Sequence, residues 1–186
     1  MRVTGGIYRG RLLKTASGLV SRPTTDKIRQ SIFNILMNDI ENKDVLDIFA
    51  GSGALGIEAI SRGAGLSVFI EQGFHQANAI KANLKSLRLS SRLIKSDFRA
   101  ACRLLNEEGK RFDLIFADPP YEKFSPDDVA GVVAQYNLLR PNGFLIIEHK
   151  FGVEVTDNHF KLLKRRKFGQ TEVTFYAVSE AETEKE

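Results

Sequence analysis

One cysteine, Cys102, in 186 residues rules out a disulfide framework. A reduced, cytoplasmic setting is the expectation that follows. Cys102 stands among Ala100, Ala101, Leu104 and Leu105 and reads as a small buried hydrophobe rather than a nucleophile. Histidine is equally scarce. His75 and His159 have no metal-ligand partners at useful spacing, and His149, at a predicted strand end, reads as a hydrogen-bonded structural residue, so no metal is expected. No apolar run approaches the roughly 20 residues of a membrane span, and Met1–Gly6 has no apolar leader core, so a soluble protein is predicted. Acid is nearly missing from residues 1–30. There Asp26 alone faces Arg2, Arg9, Arg11, Lys14, Arg22, Lys27 and Arg29, although the whole chain carries only +4. A basic surplus gathered at one end points to a polyanionic partner.

What the chain does have is apolar content, 42% of its residues, enough for one domain with a core that needs no metal or disulfide. Residues 1–22 read as a glycine-rich basic β-hairpin or arm with little core of its own. Residues 23–178 read as the domain, and 179–186, with four glutamates, as a disordered acidic tail. Helical spacing of Ile28, Ile32, Ile35 and Leu36 after Pro23 predicts an amphipathic helix whose polar start, Arg22, Thr24, Asp26, Lys27 and Arg29, can line a site.

From residue 44 the pattern alternates. Strands are predicted near 44–49, 66–71, 92–96, 112–117 and 143–148, with helices near 54–63, 74–87, 99–108 and 126–138 between them. Such alternation gives a parallel sheet with helices on both faces. Residues 159–167 and 171–178 are predicted to close it as a hairpin.

Everything turns on the stretch from Asp44 to Ile60. An apolar strand runs into Gly51-Ser52-Gly53, and a helix follows with Gly56 in its first turn. Gly51 and Gly53 suit positive φ or a ligand close to the backbone, and Gly56 suits tight packing of helix on strand. This spelling is shared with dinucleotide-binding turns, so by itself it indicates only an adenosine-containing ligand.

In an open parallel sheet, ligands bind beyond the carboxyl ends of the strands. Four successive predicted strands end in polar residues there: Asp47 with the glycine turn, Glu71, Ser96-Asp97-Phe98, and Asp118-Pro119-Pro120-Tyr121. The last is the most specific. Two prolines remove two N–H donors, so the turn offers carbonyl acceptors beside a carboxylate and an aromatic face. Acceptors beside a ring suit the exocyclic amine of a nucleobase.

Asp47-x-x-x-Gly51-Ser52-Gly53, Glu71, Asp97 and Asp118-Pro119-Pro120-Tyr121 resemble the class I S-adenosylmethionine-dependent methyltransferases that act on planar amines. Gly5-Gly6, Arg9-Gly10-Arg11, Arg22-Pro23-Thr24, Asp26, Arg29, Phe33-Asn34 and Asp47–Gly53 narrow the resemblance to the bacterial 16S ribosomal RNA guanine-N2 methyltransferases of the guanine 966 type. It implies a Rossmann-like α/β fold: a seven-stranded, mostly parallel sheet with helices on both faces and a C-terminal antiparallel strand. It implies S-adenosylmethionine as cofactor, bound by Asp47, Ala50, Gly51, Ser52, Gly53, Glu71, Asp97 and Phe98. Glu71 would accept from the ribose hydroxyls and Asp97 from the adenine amine, with Phe98 meeting adenine through its ring or its amide. Asp118, Pro119, Pro120 and Tyr121 would hold a flipped guanine. Arg9, Arg11, Arg22, Thr24, Lys27 and Arg29 would meet the partner, 16S ribosomal RNA, naked or in a partly assembled 30S particle, with the enzyme a monomer.

Rival readings exist. DNA adenine and protein glutamine methyltransferases share the four-residue loop, but the basic N-terminal block favours RNA. A nicotinamide-dependent oxidoreductase is opposed by Asp47, by that loop and by the lack of length for a substrate domain. A non-catalytic RNA-binding factor is opposed by acids at all four strand ends.

Overall fold

The computed structural model describes residues 1–16, 23–37, 39–156 and 158–178, with the side chains of 23–25 left aside. Arg22 and the whole 179–186 segment therefore lie outside the described residues, as does the side chain of Thr24. The elements run α1 (Pro23–Leu36), β1 (Val45–Ile48), α2 (Ala54–Ser61), β2 (Ser67–Ile70), α3 (Phe74–Leu87), β3 (Arg92–Ile94), α4 (Phe98–Glu107), β4 (Phe112–Ala117), α5 (Pro126–Gln135), β5 (Leu139–Lys150), β6 (Lys161–Phe168) and β7 (Thr171–Ala177). Seven strands form one sheet in the order β3-β2-β1-β4-β5-β7-β6. The expected fold class is the one found, with β7 antiparallel to both β5 and β6. Two compact units divide the chain, Met1–Phe98 and Arg99–Glu186.

In the first unit β1 pairs in parallel with β2, and β2 with β3. β1 and β2 are buried throughout, which is why Val45–Ile48 and Ser67–Ile70 are short and mostly apolar rather than alternating. α2 packs close to β2 because Gly56 lacks a side chain: a Cβ there would lie 2.4 Å from the Phe69 ring. The N-terminal arm is not a loose appendage, contrary to the slight core expected of it. An Arg2–Leu12 bridge closes a small hairpin, and Val3 and Leu13, 2% and 5% exposed, join the core of Ile57, Phe69, Ile80 and Leu84.

In the second unit β4 pairs in parallel with β5 through Ala117 and Ile147. β5 starts earlier than predicted, at Leu139, because Phe112 pairs with Leu139 before a register shift carries Leu114 to Phe144. α5 starts on a capping box in which Ser125 and Asp128 satisfy each other's backbone amides.

Candidate active site

At the end of β1, Asp47 is 2% exposed, and its Oδ2 accepts from the Gly56 amide at 2.9 Å. Burial pushes its carboxyl up to about 7, the Gly56 amide partly offsets this, and the negative charge of Glu71 adds to it. The chain then turns through Phe49, Gly51 and Gly53 at φ 61°, 58° and 78°. At Gly51 a Cβ would meet nothing nearer than the Phe49 carbonyl oxygen at 3.9 Å, so the turn offers bare backbone to open space. Phe49 takes up left-handed strain without being glycine, and its ring packs on that of Phe98 with centroids 4.7 Å apart. Phe98 is 2% exposed, with its ring tilted 47° against that of Phe49.

Glu71 follows β2 and grips the turn. Its Oε2 accepts from the Gly51 amide at 2.8 Å and its Oε1 from the Gly73 amide at 2.7 Å. A carboxylate has about four acceptor positions, so lone pairs remain for ligand hydroxyls. Asp97, half-buried, closes the series before α4. Asp47, Glu71 and Asp97 therefore sit at the ends of three adjacent parallel strands. Bare glycine backbone with three acceptor carboxylates fits a ligand rich in hydroxyl and amine donors.

The Asp118-Pro119-Pro120-Tyr121 loop belongs to the second unit and leaves the end of β4. Asp118 and Pro120 are exposed and Pro119 is buried. The Pro120 carbonyl accepts from the amides of Lys123 and Phe124, which closes the loop. The Pro119 carbonyl accepts no hydrogen bond among the described residues. Tyr121 is 39% exposed, and its hydroxyl donates to Glu148 Oε1 at 3.0 Å. Burial, helped by the charges of Glu148 and Asp118, raises the Tyr121 pKa, so the phenol stays protonated. Burial also raises Glu148, against the pull of the Tyr121 hydrogen bond. Beside them lies a cleft of about 210 Å³ lined by Tyr121, Glu122, Lys123, Phe124, Ser125, Pro126, His149, Lys150 and Val153. His149 is a structural residue in this geometry. It is 2% exposed, its ring nitrogens bond Thr174 Oγ1 at 2.8 Å and the Lys150 carbonyl at 3.0 Å, and burial lowers its pKa.

The expected nucleic-acid residues divide. Arg9, Arg11 and Lys27 are exposed. Arg29 is a correction: at 3% exposure it spends its guanidinium on Glu58, Asp26 and the Arg2 carbonyl, so it cannot reach a phosphate. Glu58, wholly buried, also accepts from the amide and hydroxyl of Thr4 at 2.7 and 2.6 Å and from Arg62 at 2.9 Å. These bonds fasten the arm to α2. Two further residues escaped the sequence analysis. Asn83 sits mid-helix and gives no local signal, whereas Glu148 ends the fifth predicted strand and would have been found by extending the strand-end rule by one. Among the described residues no acid, histidine and cysteine cluster suits a metal, and no helix is long and apolar enough to cross a membrane.

A family model described as Conserved hypothetical protein 95 matches residues 1–177. Ribosomal RNA small subunit methyltransferase D of Haemophilus influenzae is 32% identical over 179 residues, spanning 95% of this chain and 93% of that protein. A solved hypothetical protein of Thermus thermophilus superposes with a TM-score of 0.83 at 26% identity, over 96% of this chain and 99% of that one. The Thermus thermophilus 16S rRNA N2 G1207 methyltransferase, solved with AdoMet and guanosine, shares the fold at a TM-score of 0.72 and 21% identity, over 92% of this chain and 46% of that one.

Proposed function

The chain belongs to the Conserved hypothetical protein 95 family, with ribosomal RNA small subunit methyltransferase D among its relatives, and on that premise we propose that it methylates the exocyclic N2 of a guanine in small-subunit ribosomal RNA. The observation that carries this reading is the Asp118–Tyr121 loop, where an exposed carboxylate and an unengaged Pro119 carbonyl stand beside an aromatic ring. Two acceptors match the two hydrogens of a primary amine. Their hydrogen bonds would fix the amine and favour rotation of its lone pair out of the ring system, while Tyr121 stacks on the flipped base. The amine becomes acidic once methylated, so Asp118 need only be a weak proton acceptor.

The cofactor in this reading is S-adenosylmethionine, which supplies an electrophilic methyl group on sulfur. Backbone at Ala50, Gly51, Ser52 and Gly53 would pass its methionine portion, with Asp47 bracing the turn through Gly56. Glu71 would take the ribose hydroxyls, Asp97 the adenine amine, and the Phe98 amide a ring nitrogen. Arg9, Arg11 and Lys27 would pair with phosphates, and Arg29 would contribute by holding the arm in place. Arg22 and Thr24 would add further contacts to the RNA.

Incubation with methyl-labelled S-adenosylmethionine and small-subunit RNA, naked and in protein-bound particles, tests the proposal. Label in one guanine amino group is the expected result. Label on adenine, on a protein amide or nowhere would overturn it.

A further inference from the structure

Glu148 has no part in the reading above, yet it occupies the position best placed to read the target base. β4 and β5 run parallel, with Ala117 and Ile147 as their last registered pair. Asp118 follows Ala117 just past the end of β4, and Glu148 follows Ile147 within β5, which runs on to Lys150. The two residues thus stand at the same register level beside one another, and the charges of both act on Tyr121. The Tyr121 hydroxyl donates to Glu148 Oε1 at 3.0 Å, which ties one oxygen of the carboxylate and fixes its orientation. Oε2 accepts no hydrogen bond from any described residue. Glu148 is half-buried, and its Oε2 is not among the buried atoms without a partner, so that oxygen stays open to water or to a ligand.

We propose that Glu148 is the specificity-determining acceptor for the N1–H of the target guanine, held ready by the Tyr121 hydroxyl. The inference rests on the guanine-N2 reading. On the Watson–Crick edge of guanine, N1–H lies next to the 2-amino group. A base whose amine is held by Asp118 and the Pro119 carbonyl therefore presents N1–H to an adjacent acceptor. Adenine presents an unprotonated N1 beside its own amine. A carboxylate facing that nitrogen would set lone pair against lone pair. A loop of the Asp-Pro-Pro-Tyr type accepts any planar amine, so discrimination among bases must come from such a neighbour.

The test uses the RNA, naked or assembled, that takes label in the experiment above, with guanine or 2-aminopurine at the target position. 2-Aminopurine keeps the same amine but has an unprotonated N1. For each protein the quantity read is the ratio of kcat/KM for guanine to that for 2-aminopurine. Loss of folded protein cancels in such a ratio. Glu148→Gln, whose amide can accept from guanine or donate to 2-aminopurine, is expected to lower the ratio about 10- to 100-fold relative to wild type, the worth of one hydrogen bond to a charged acceptor. Tyr121→Phe, which frees the carboxylate to turn, is expected to lower it less. A ratio unchanged in Glu148→Gln would overturn the inference and leave the guanine reading intact. Failure of the wild type to label any guanine amine would overturn that reading instead.

Discussion

Asn83 and Lys14 are joined by a reciprocal pair of hydrogen bonds, Lys14 N–H to Oδ1 at 2.7 Å and Nδ2 to the Lys14 carbonyl at 2.9 Å. The same Nδ2 reaches the Ser52 carbonyl in the glycine turn, also at 2.9 Å. One buried carboxamide on α3 thus fixes both the basic arm and the proposed cofactor turn. Asn83→Ala would leave the Lys14 and Ser52 backbone groups without this partner. We expect a loss of about 1–3 kcal/mol in stability, read by urea denaturation, and weaker binding of S-adenosylhomocysteine by calorimetry. Unchanged affinity in a folded variant would separate the arm from the turn.

Arg9 and Arg11 should behave differently from Arg29. Neutralising the two exposed arginines is expected to reduce RNA affinity and flatten its salt dependence, by about 0.7 in log–log slope for each single-strand phosphate no longer neutralised. Arg29→Ala leaves the buried carboxylate of Glu58 with fewer partners and should cost about 3 kcal/mol of stability. Filter binding across a salt series and a denaturation curve check the pair. An Arg29 variant of normal stability would contradict its role in holding the arm.

Asp118→Ala removes an exposed acceptor in the second unit, whereas Asp47, Glu71 and Asp97 all belong to the first. Turnover is expected to fall by about 10²–10³ with cofactor affinity nearly unchanged, in line with other orienting hydrogen-bond groups. Single-turnover methyl transfer and calorimetry measure the two effects separately. Lost affinity with preserved turnover would place Asp118 on the cofactor.

Asp47 ties stability to pH. Its folded pKa of about 7 lies above the ordinary 3.8, so between these values the folded chain binds the proton more tightly than the unfolded chain does. Its contribution is therefore favourable below about pH 4 and is lost as pH rises to about 7. Asp47→Asn keeps an oxygen for the Gly56 amide and removes the charge. The stability of this variant is expected to vary less over about pH 4–7 than that of the wild type in denaturant titrations. A parallel pH profile would contradict the burial argument.

Much of this protein follows from local chemistry. Strand-and-helix alternation from residue 44 onward is a matter of apolar period, and the glycine turn is a matter of which residues tolerate positive φ, so both are written in the sequence by itself. Gly56 belongs with them, since only a residue without Cβ fits against Phe69. The polar strand ends at Asp47, Glu71, Asp97 and Asp118 could likewise be named in advance, because a parallel sheet collects its loops at one edge. Tertiary structure alone decided how the charges were used. Arg29 looked like its neighbours Lys27 and Arg22, yet burial against Glu58, 29 residues away, turned it into a structural cation. Val3 and Leu13 joined the core only because the arm folds back onto α2 and α3. Glu148 acquired its partner from Tyr121, 27 residues earlier, once β4 and β5 lay side by side. Periodicity reports which face of an element is apolar. Which distant donor fills a carboxylate is settled only when folding removes water from both.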